Sequence, residues 1–308
     1  MGKNKFLNKL VAGLSAVGPG LFLIGYNIGT GSVTTMAKAG AEHGMALTWA
    51  LLLSCVFTYI LMVAYGQTTL VTGKTALYNI KTGFNYGKVL AIYILVALVS
   101  GELMALMGIF GIVADLLREA SRILSGGSGF STFRITLALA AVLYLLLWTG
   151  HYRRFEKVLI TLVIIMGLSF ITVFFMVKPD IKAIISGLIP GIPDTHGSLR
   201  LIAAMAGTTC SAAVFIMRST VIAEKGWKIN NLKNEKKDAA VSSSAMFFLS
   251  FVIMAVSAGT LHLMGLKMDN TVEMISLFEP IGGKIAAIIL SLGIVGAGIS
   301  PVDPIIHI

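Results

Sequence analysis

The sequence predicts an all-α integral membrane protein built as a bundle of apolar helices. Of its 308 residues, 56% are hydrophobic and only 12% are charged, and the mean hydropathy is +0.88. A soluble domain carries about twice that charged fraction. The 33 glycines against 7 prolines suit closely packed transmembrane helices. The net charge of +10 fits loops that face anionic lipid, so the lipid bilayer is the expected partner and nucleic acid is not.

Eight stretches are apolar enough to be transmembrane helices, each of which needs about 20 apolar residues. They are residues 10–37, 44–71, 89–117, 135–150, 158–177, 201–217, 239–261 and 285–308. Lys and Arg are more frequent in the loops on one side, which predicts a cytoplasmic N-terminus and, most simply, a bacterial cytoplasmic membrane. The chain is expected to be a single transmembrane domain.

Two clusters of small and hydroxyl-bearing residues lie in the middle of the first and sixth spans. In lipid, such clusters either pack tightly against a neighbouring helix or mark an unwound point that lines a cavity. Their positions five helices apart favour two five-helix repeats of inverted topology, whose broken first helices meet at the substrate site. The predicted repeats are residues 1–178 and an incomplete 201–308, joined by an extracellular connector, residues 179–200. The predicted substrate-binding residues are Gly29, Thr30, Gly31, Ser32, Thr208, Thr209, Cys210 and Ser211.

Other charged and titratable residues give weaker signals. Glu102 is the one acidic residue deep inside a predicted span, which favours a proton or ion path, although a neutral, hydrogen-bonded structural acid is the alternative. Arg218 ends the sixth span close enough to the cytoplasm to snorkel, which leaves its role open. The five histidines share no metal-ligand spacing and are expected at the surface, and residues 225–238 are expected to be a solvated, charged connector.

Four segments resemble the NRAMP (natural resistance-associated macrophage protein) family of proton-coupled divalent metal transporters. They are GPGLFLIGYNIGTGSV near the start, YGQTTLVTGKTAL closing the second span, GLIPGIPDTHGSLRLIAAMAGTTCSAAVFIMRSTVI around the sixth, and FEPIGGKIAAIILSLGIVGAG at the eighth. The resemblance implies a 5+5 inverted-repeat symporter fold of the amino acid-polyamine-organocation type. It also implies a metal site between the broken first and sixth helices.

The site departs from the family pattern. In the break of the first helix the family has Asp-Pro-Gly-Asn, and this chain has Gly-Thr-Gly-Ser at residues 29–32. In the break of the sixth helix the family has Met-Pro-His, and this chain has Ser-Ala-Ala at residues 211–213. A shift of one residue would put Cys210 at the position of the Met. The remaining metal-ligand candidates, Thr30, Ser32 and Cys210, are weak for Mn²⁺ or Fe²⁺, so a Mg²⁺-like ion that keeps several waters fits better.

Three functions stay open at this point. The leading one is a secondary transporter of a divalent cation, and the alternatives are a permease for a small organic solute such as an amino acid, or a non-transporting scaffold. The sequence has neither GxxxxGK[ST] nor HExxH, so we expect no enzyme activity and no cofactor. Because an inverted repeat needs ten helices and eight are found, a partner chain or further C-terminal helices are expected to complete the bundle.

Overall fold

The computed structural model describes residues 29–125, 129–148, 167–168, 170–177, 179–195 and 197–268. This described part is helical and contains no β-strand. The predicted eighth span, residues 285–308, and most of the first lie outside the described residues, and the division into two repeats stays a prediction.

Within the described residues, nine α-helices have defined bounds. They are α1 (Thr30–His43), α2 (Thr48–Thr72), α3 (Ala76–Gly83), α4 (Gly87–Ser125), α5 (Thr132–Trp148), α6 (Ile181–Ser186), α7 (Ser198–Thr209), α8 (Ala212–Glu224) and α9 (Leu232–Ser257). A 3₁₀ turn, Ile229–Asn231, precedes α9 and a π-helical turn, Ala258–His262, follows it. Residues 170–177 are also helical, in agreement with the predicted fifth span.

Four of the described helical segments are long and apolar enough to cross a membrane. They are Thr48–Thr72, Gly87–Asp115, Ser198–Glu224 and Ile229–His262. These segments overlap predicted spans, so the all-α membrane fold is confirmed. The short helix α3 was not predicted, because its eight residues are too few to form a span.

Helix α2 has two chemically different faces. Between Thr48 and Ile60, its exposed side chains recur with helical spacing and are all apolar: Leu52, Leu53, Val56, Phe57 and Ile60. An apolar stripe of this kind is suited to lipid. The opposite face buries hydroxyl-bearing residues, Ser54 and Thr58 among them. The polar interior of the bundle therefore begins on this face.

Helix α9 lies at the centre of the described bundle. It packs against α1 and α2, and residues 252–258 are all buried, as expected for a helix that is surrounded by others. Gly40 of α1 allows the close crossing, because a Cβ there would overlap the carbonyl oxygen of Met254. The Ser257 hydroxyl donates to the Ala37 carbonyl at 2.6 Å across the same contact. Small residues at this crossing bring the two backbones together.

Candidate functional site

The sixth span is interrupted in its middle. Helix α7 ends at Thr209 and α8 begins at Ala212, so Cys210 and Ser211 are not helical. Ser211 is extended, with φ −81° and ψ 136°. The break predicted at residues 208–212 is confirmed. Because helix ends leave backbone carbonyl and N–H groups without intrahelical partners, this point exposes polar backbone inside an apolar bundle.

The first span shows a helix start inside its predicted break. Gly29 is extended, with φ −91° and ψ −177°, and α1 begins at the next residue, Thr30. Helix α1 packs against α7, and Thr195, just before α7, lies beside His43 at the end of α1, so the start of α1 and the end of α7 lie toward the same end of this helix pair. The part of this span before Gly29 lies outside the described residues. Ser32 is buried and Gly31 is exposed.

Helix α2 holds the end of α7 through two hydroxyl groups that sequence reasoning missed. The Ser54 and Thr209 hydroxyls are hydrogen-bonded to each other. The Thr58 hydroxyl lies 3.0 Å from the Thr209 carbonyl oxygen and 2.9 Å from the Ser54 carbonyl oxygen, so its one proton is shared between them. The available signal was a pair of hydroxyl residues four positions apart on the inner face of an otherwise apolar helix.

The groups left at the break are neutral. The Thr208 hydroxyl donates to the Met205 carbonyl at 3.0 Å, which leaves its oxygen able to accept or coordinate, and Ser211 makes no capping hydrogen bond. Cys210 is a half-buried free thiol, and the buried free thiol Cys55 is close enough to interact with it electrostatically. Within the described ranges, no three His, Cys, Asp or Glu residues are grouped to hold a metal ion. The break thus offers hydroxyl, carbonyl and sulfur donors.

Glu102 lies in the middle of α4 and is partly exposed. Its chain neighbours Gly101, Leu103 and Met104 are exposed. Helix α4 packs against α3 and α5 and also contacts α1. Its role in a proton or ion path stays a prediction.

Arg218 does not snorkel. Its side chain is fully buried, and Nη1 lies 2.7 Å from Asp238 Oδ2 while Nη2 lies 3.0 Å from Glu235 Oε1. Nη2 also donates to the Glu235 carbonyl at 3.1 Å. Both acids are buried residues of α9, so the expectation that residues 225–238 form a solvated connector is wrong for its last part. The physical reason is that two carboxylates, three residues apart on one helix, compensate the buried guanidinium.

His43 is also not a surface residue. Its side chain is only 9% exposed, and burial lowers the pKa of the imidazole below its ordinary value. The expectation of a surface histidine is wrong because residues 179–195 cover the end of α1. Thr195 of that segment places its hydroxyl 3.4 Å from His43 Nδ1.

A lipid-facing bundle with a polar, interrupted inner helix defines a multi-pass membrane protein of the broken-helix transporter class. The sequence profile of the natural resistance-associated macrophage protein-like (Nramp) family matches residues 20–302. The chain belongs to this family, which confirms the resemblance seen in its motifs.

Relatives and solved structures agree with this assignment. The chain is 24% identical over 292 residues to the divalent metal cation transporter MntH of Pectobacterium carotovorum, with 93% of this chain and 69% of the relative covered. It is 25% identical over 299 residues to MntH of Yersinia pestis, with the same coverage. A manganese transporter of Eremococcus coleocola has a similar fold, with a TM-score of 0.67, 15% identity, and 96% of this chain and 66% of that chain covered.

The chain therefore spans about two thirds of the length of the proteins it matches. These relatives are named transporters, in agreement with the expectation of a transporter and not an enzyme.

Proposed function

We propose that this chain is a secondary transporter that moves a divalent metal cation across the membrane, and that the cation binds at the break of the sixth span. The observation that carries the proposal is the interruption at Cys210 and Ser211, which puts non-helical backbone, hydroxyls and a thiol inside an apolar bundle. Relatives named as divalent metal cation transporters support the class of cargo.

The donor set favours an ion that needs few strong ligands from the protein. Mn²⁺ and Fe²⁺ are held best by carboxylate or imidazole ligands, and the described break offers neither. Mg²⁺ keeps several of its own waters and accepts neutral oxygen ligands around them. The proposed cargo is therefore Mg²⁺-like, with Thr208, Ser211 and the carbonyls near Gly29 and Gly31 facing its hydration shell.

Two further parts of the proposal come from the sequence. Glu102 would accept the proton that accompanies or opposes the cation, because it is an acid in the middle of a membrane helix. The N-terminus would lie in the cytoplasm, which follows from the distribution of Lys and Arg among the loops.

A small organic solute with a carboxylate is the second candidate. Helices α1 and α8 both begin at the breaks, at Thr30 and Ala212. Helix N-termini offer N–H groups and a partial positive charge, which favour an anionic group. The C-terminal end of α7 at Thr209 instead carries a partial negative charge, which attracts a hydrated cation.

Uptake into proteoliposomes tests the proposal. The purified chain is reconstituted, and entry of Mg²⁺ and of Mn²⁺ is followed with a dye that reports each ion inside the vesicle. We expect faster Mg²⁺ than Mn²⁺ entry, and a several-fold slower Mg²⁺ entry in Ser211→Ala. Ser244→Ala, which changes an exposed serine of α9, is the matched control and should transport normally.

Rapid Mn²⁺ uptake that Ser211→Ala and Cys210→Ala leave unchanged would contradict both the cargo and the site. Uptake of a radiolabelled amino acid by the same vesicles, without uptake of either ion, would support the second candidate.

A further inference from the structure

A cavity of about 730 Å³ lies at the end of the bundle that is opposite the break. It is bounded by the end of α1, the segment around α6 and the π-helical turn that follows α9. Most of its lining is apolar, but His43, Asp180 and His262 also line it. His43 is the last residue of α1, which starts at Thr30, so about 20 Å of helix separates the cavity from the break.

His262 is oriented as a metal ligand would be. Its Nδ1 lies 3.0 Å from the Ala41 carbonyl oxygen. A carbonyl only accepts hydrogen bonds, so Nδ1 carries a proton and Nε2 is the ring nitrogen left to bind a metal ion. Metal-binding histidines commonly donate their second ring N–H to a backbone carbonyl in this way. The ring lies against Gly44, where a Cβ would come within 3.1 Å of Nε2, and Gly44 has φ +58°.

His43 supplies the second nitrogen. The His43 side chain is nine-tenths buried. Its Nε2 is buried as well and has no hydrogen-bond partner among the residues that the structure describes. An unpaired buried polar atom destabilises the fold, so a bound group at this position would remove that penalty. His262 is close enough to His43 to interact with it electrostatically.

We propose that His43 and His262 form a second metal site in this cavity, where their Nε2 atoms bind a divalent transition ion and water completes its coordination. Imidazole suits Zn²⁺, Ni²⁺ and Cu²⁺ and is a poor ligand for Mg²⁺, so the site selects ions that the break does not. Within the described residues no third His, Cys, Asp or Glu is grouped with them. The site is therefore open and exchangeable, and it does not depend on the function proposed for the break.

Calorimetric titration with Ni²⁺ tests this site. The full chain is purified without a histidine tag and titrated in detergent at pH 7.5, with excess Mg²⁺ present to occupy other sites. The variants His43→Asn and His262→Asn keep a donor near the position of Nδ1 and remove Nε2. We expect one saturable Ni²⁺ site whose affinity falls by about tenfold or more in each variant.

The control variant is Asp194→Asn, which changes an exposed residue of the covering segment and should bind Ni²⁺ as the natural chain does. Absence of saturable Ni²⁺ binding, or full affinity in both histidine variants, would overturn the proposal. Neither result would bear on Mg²⁺ transport, which the uptake assay measures separately.

A measurement on the unaltered chain does not depend on how the variants fold. Diethyl pyrocarbonate modifies neutral imidazole nitrogens, and mass spectrometry assigns the modification to each histidine. Ni²⁺ should slow the modification of His262 several-fold, and excess Mg²⁺ should not. Equal rates with and without Ni²⁺ would count against the site.

Discussion

At the scale of single residues, Arg218 is the clearest case of a charge that the bundle accommodates inside. Its guanidinium faces Asp238 and Glu235, and all three side chains are buried. Gly66 of α2 leaves the space for this group, because a Cβ there would overlap the Glu235 carboxylate. The triad thus connects α8, α9 and α2 just beyond the break.

Arg218→Met should destabilise the protein strongly. The substitution leaves two buried carboxylates without their cation, which costs about 3–5 kcal/mol in comparable buried pairs. The free energy of unfolding in mixed micelles measures the effect. Arg118→Met is the control, because Arg118 is exposed and its loss should change the free energy of unfolding little. Equal effects of the two substitutions would show that the triad does not stabilise the fold.

Thr58→Val should weaken the attachment of α7 to α2. The variant keeps the shape of the side chain and removes the hydroxyl shared with the Thr209 carbonyl, a loss of about 1 kcal/mol in the free energy of unfolding. Because that carbonyl lies at the end of α7, Mg²⁺ uptake should also slow. Thr68→Val is the matched control on the same helix, since the Thr68 hydroxyl bonds only to the Ala64 carbonyl. If both variants behave alike, Thr58 has no special role at the break.

At the scale of helices, the crossing of α1 and α9 depends on Gly40. A Cβ at this position meets the backbone of α9 at Met254, and backbone cannot move aside as a flexible side chain can. The crossing sets where α1 begins relative to the centre of the bundle, and so where Gly29 lies.

Gly40→Ala should therefore force the two helices apart and lower the free energy of unfolding by about 1–3 kcal/mol. Gly101→Ala is the control, because nothing lies within 4 Å of a Cβ there. Both substitutions gain the same helix propensity, so the difference between their unfolding free energies isolates the packing. If the Gly40→Ala protein is as stable as the Gly101→Ala protein, α1 and α9 do not pack as closely at this crossing as the structure shows.

The sequence was sufficient for the long helices of the described residues and for the break in the sixth span, and insufficient for the contacts between distant segments. A run of Gly, Thr, Cys and Ser in lipid predicts the interruption at residues 208–212, because backbone and hydroxyl groups there need polar partners. The hydroxyl partners of Thr209 belong to α2, some 150 residues earlier, and no local pattern specifies that pairing. His43 was misplaced for the same reason, since the segment that covers it lies far along the chain.

The high charge of residues 225–238 predicted a solvated connector, which is wrong for the last part of the segment. Lys233, Lys236 and Lys237 are exposed, as a charged connector predicts, but Glu235 and Asp238 are buried on the inner face of α9. The helical spacing of these two acids is visible in the sequence. Their partner, Arg218, could be assigned only once α8 and α9 were in place.

At the scale of the whole molecule, the described helices form a lipid-facing bundle with a polar interruption inside it. The apolar stripe of α2 faces outward, and its hydroxyls face the end of α7. We propose that the divalent cation binds at this interruption, beside Cys210.

Protection of Cys210 from alkylation tests that claim most directly. The chain has only two cysteines, and peptide mapping after reaction with N-ethylmaleimide separates half-buried Cys210 from buried Cys55. We expect Mg²⁺ to slow alkylation of Cys210 several-fold in the reconstituted protein, with K⁺ at the same ionic strength having no effect, and Ser211→Ala to reduce the protection. A Cys210 alkylation rate that neither Mg²⁺ nor Mn²⁺ changes, at concentrations that saturate uptake, would contradict binding at the break.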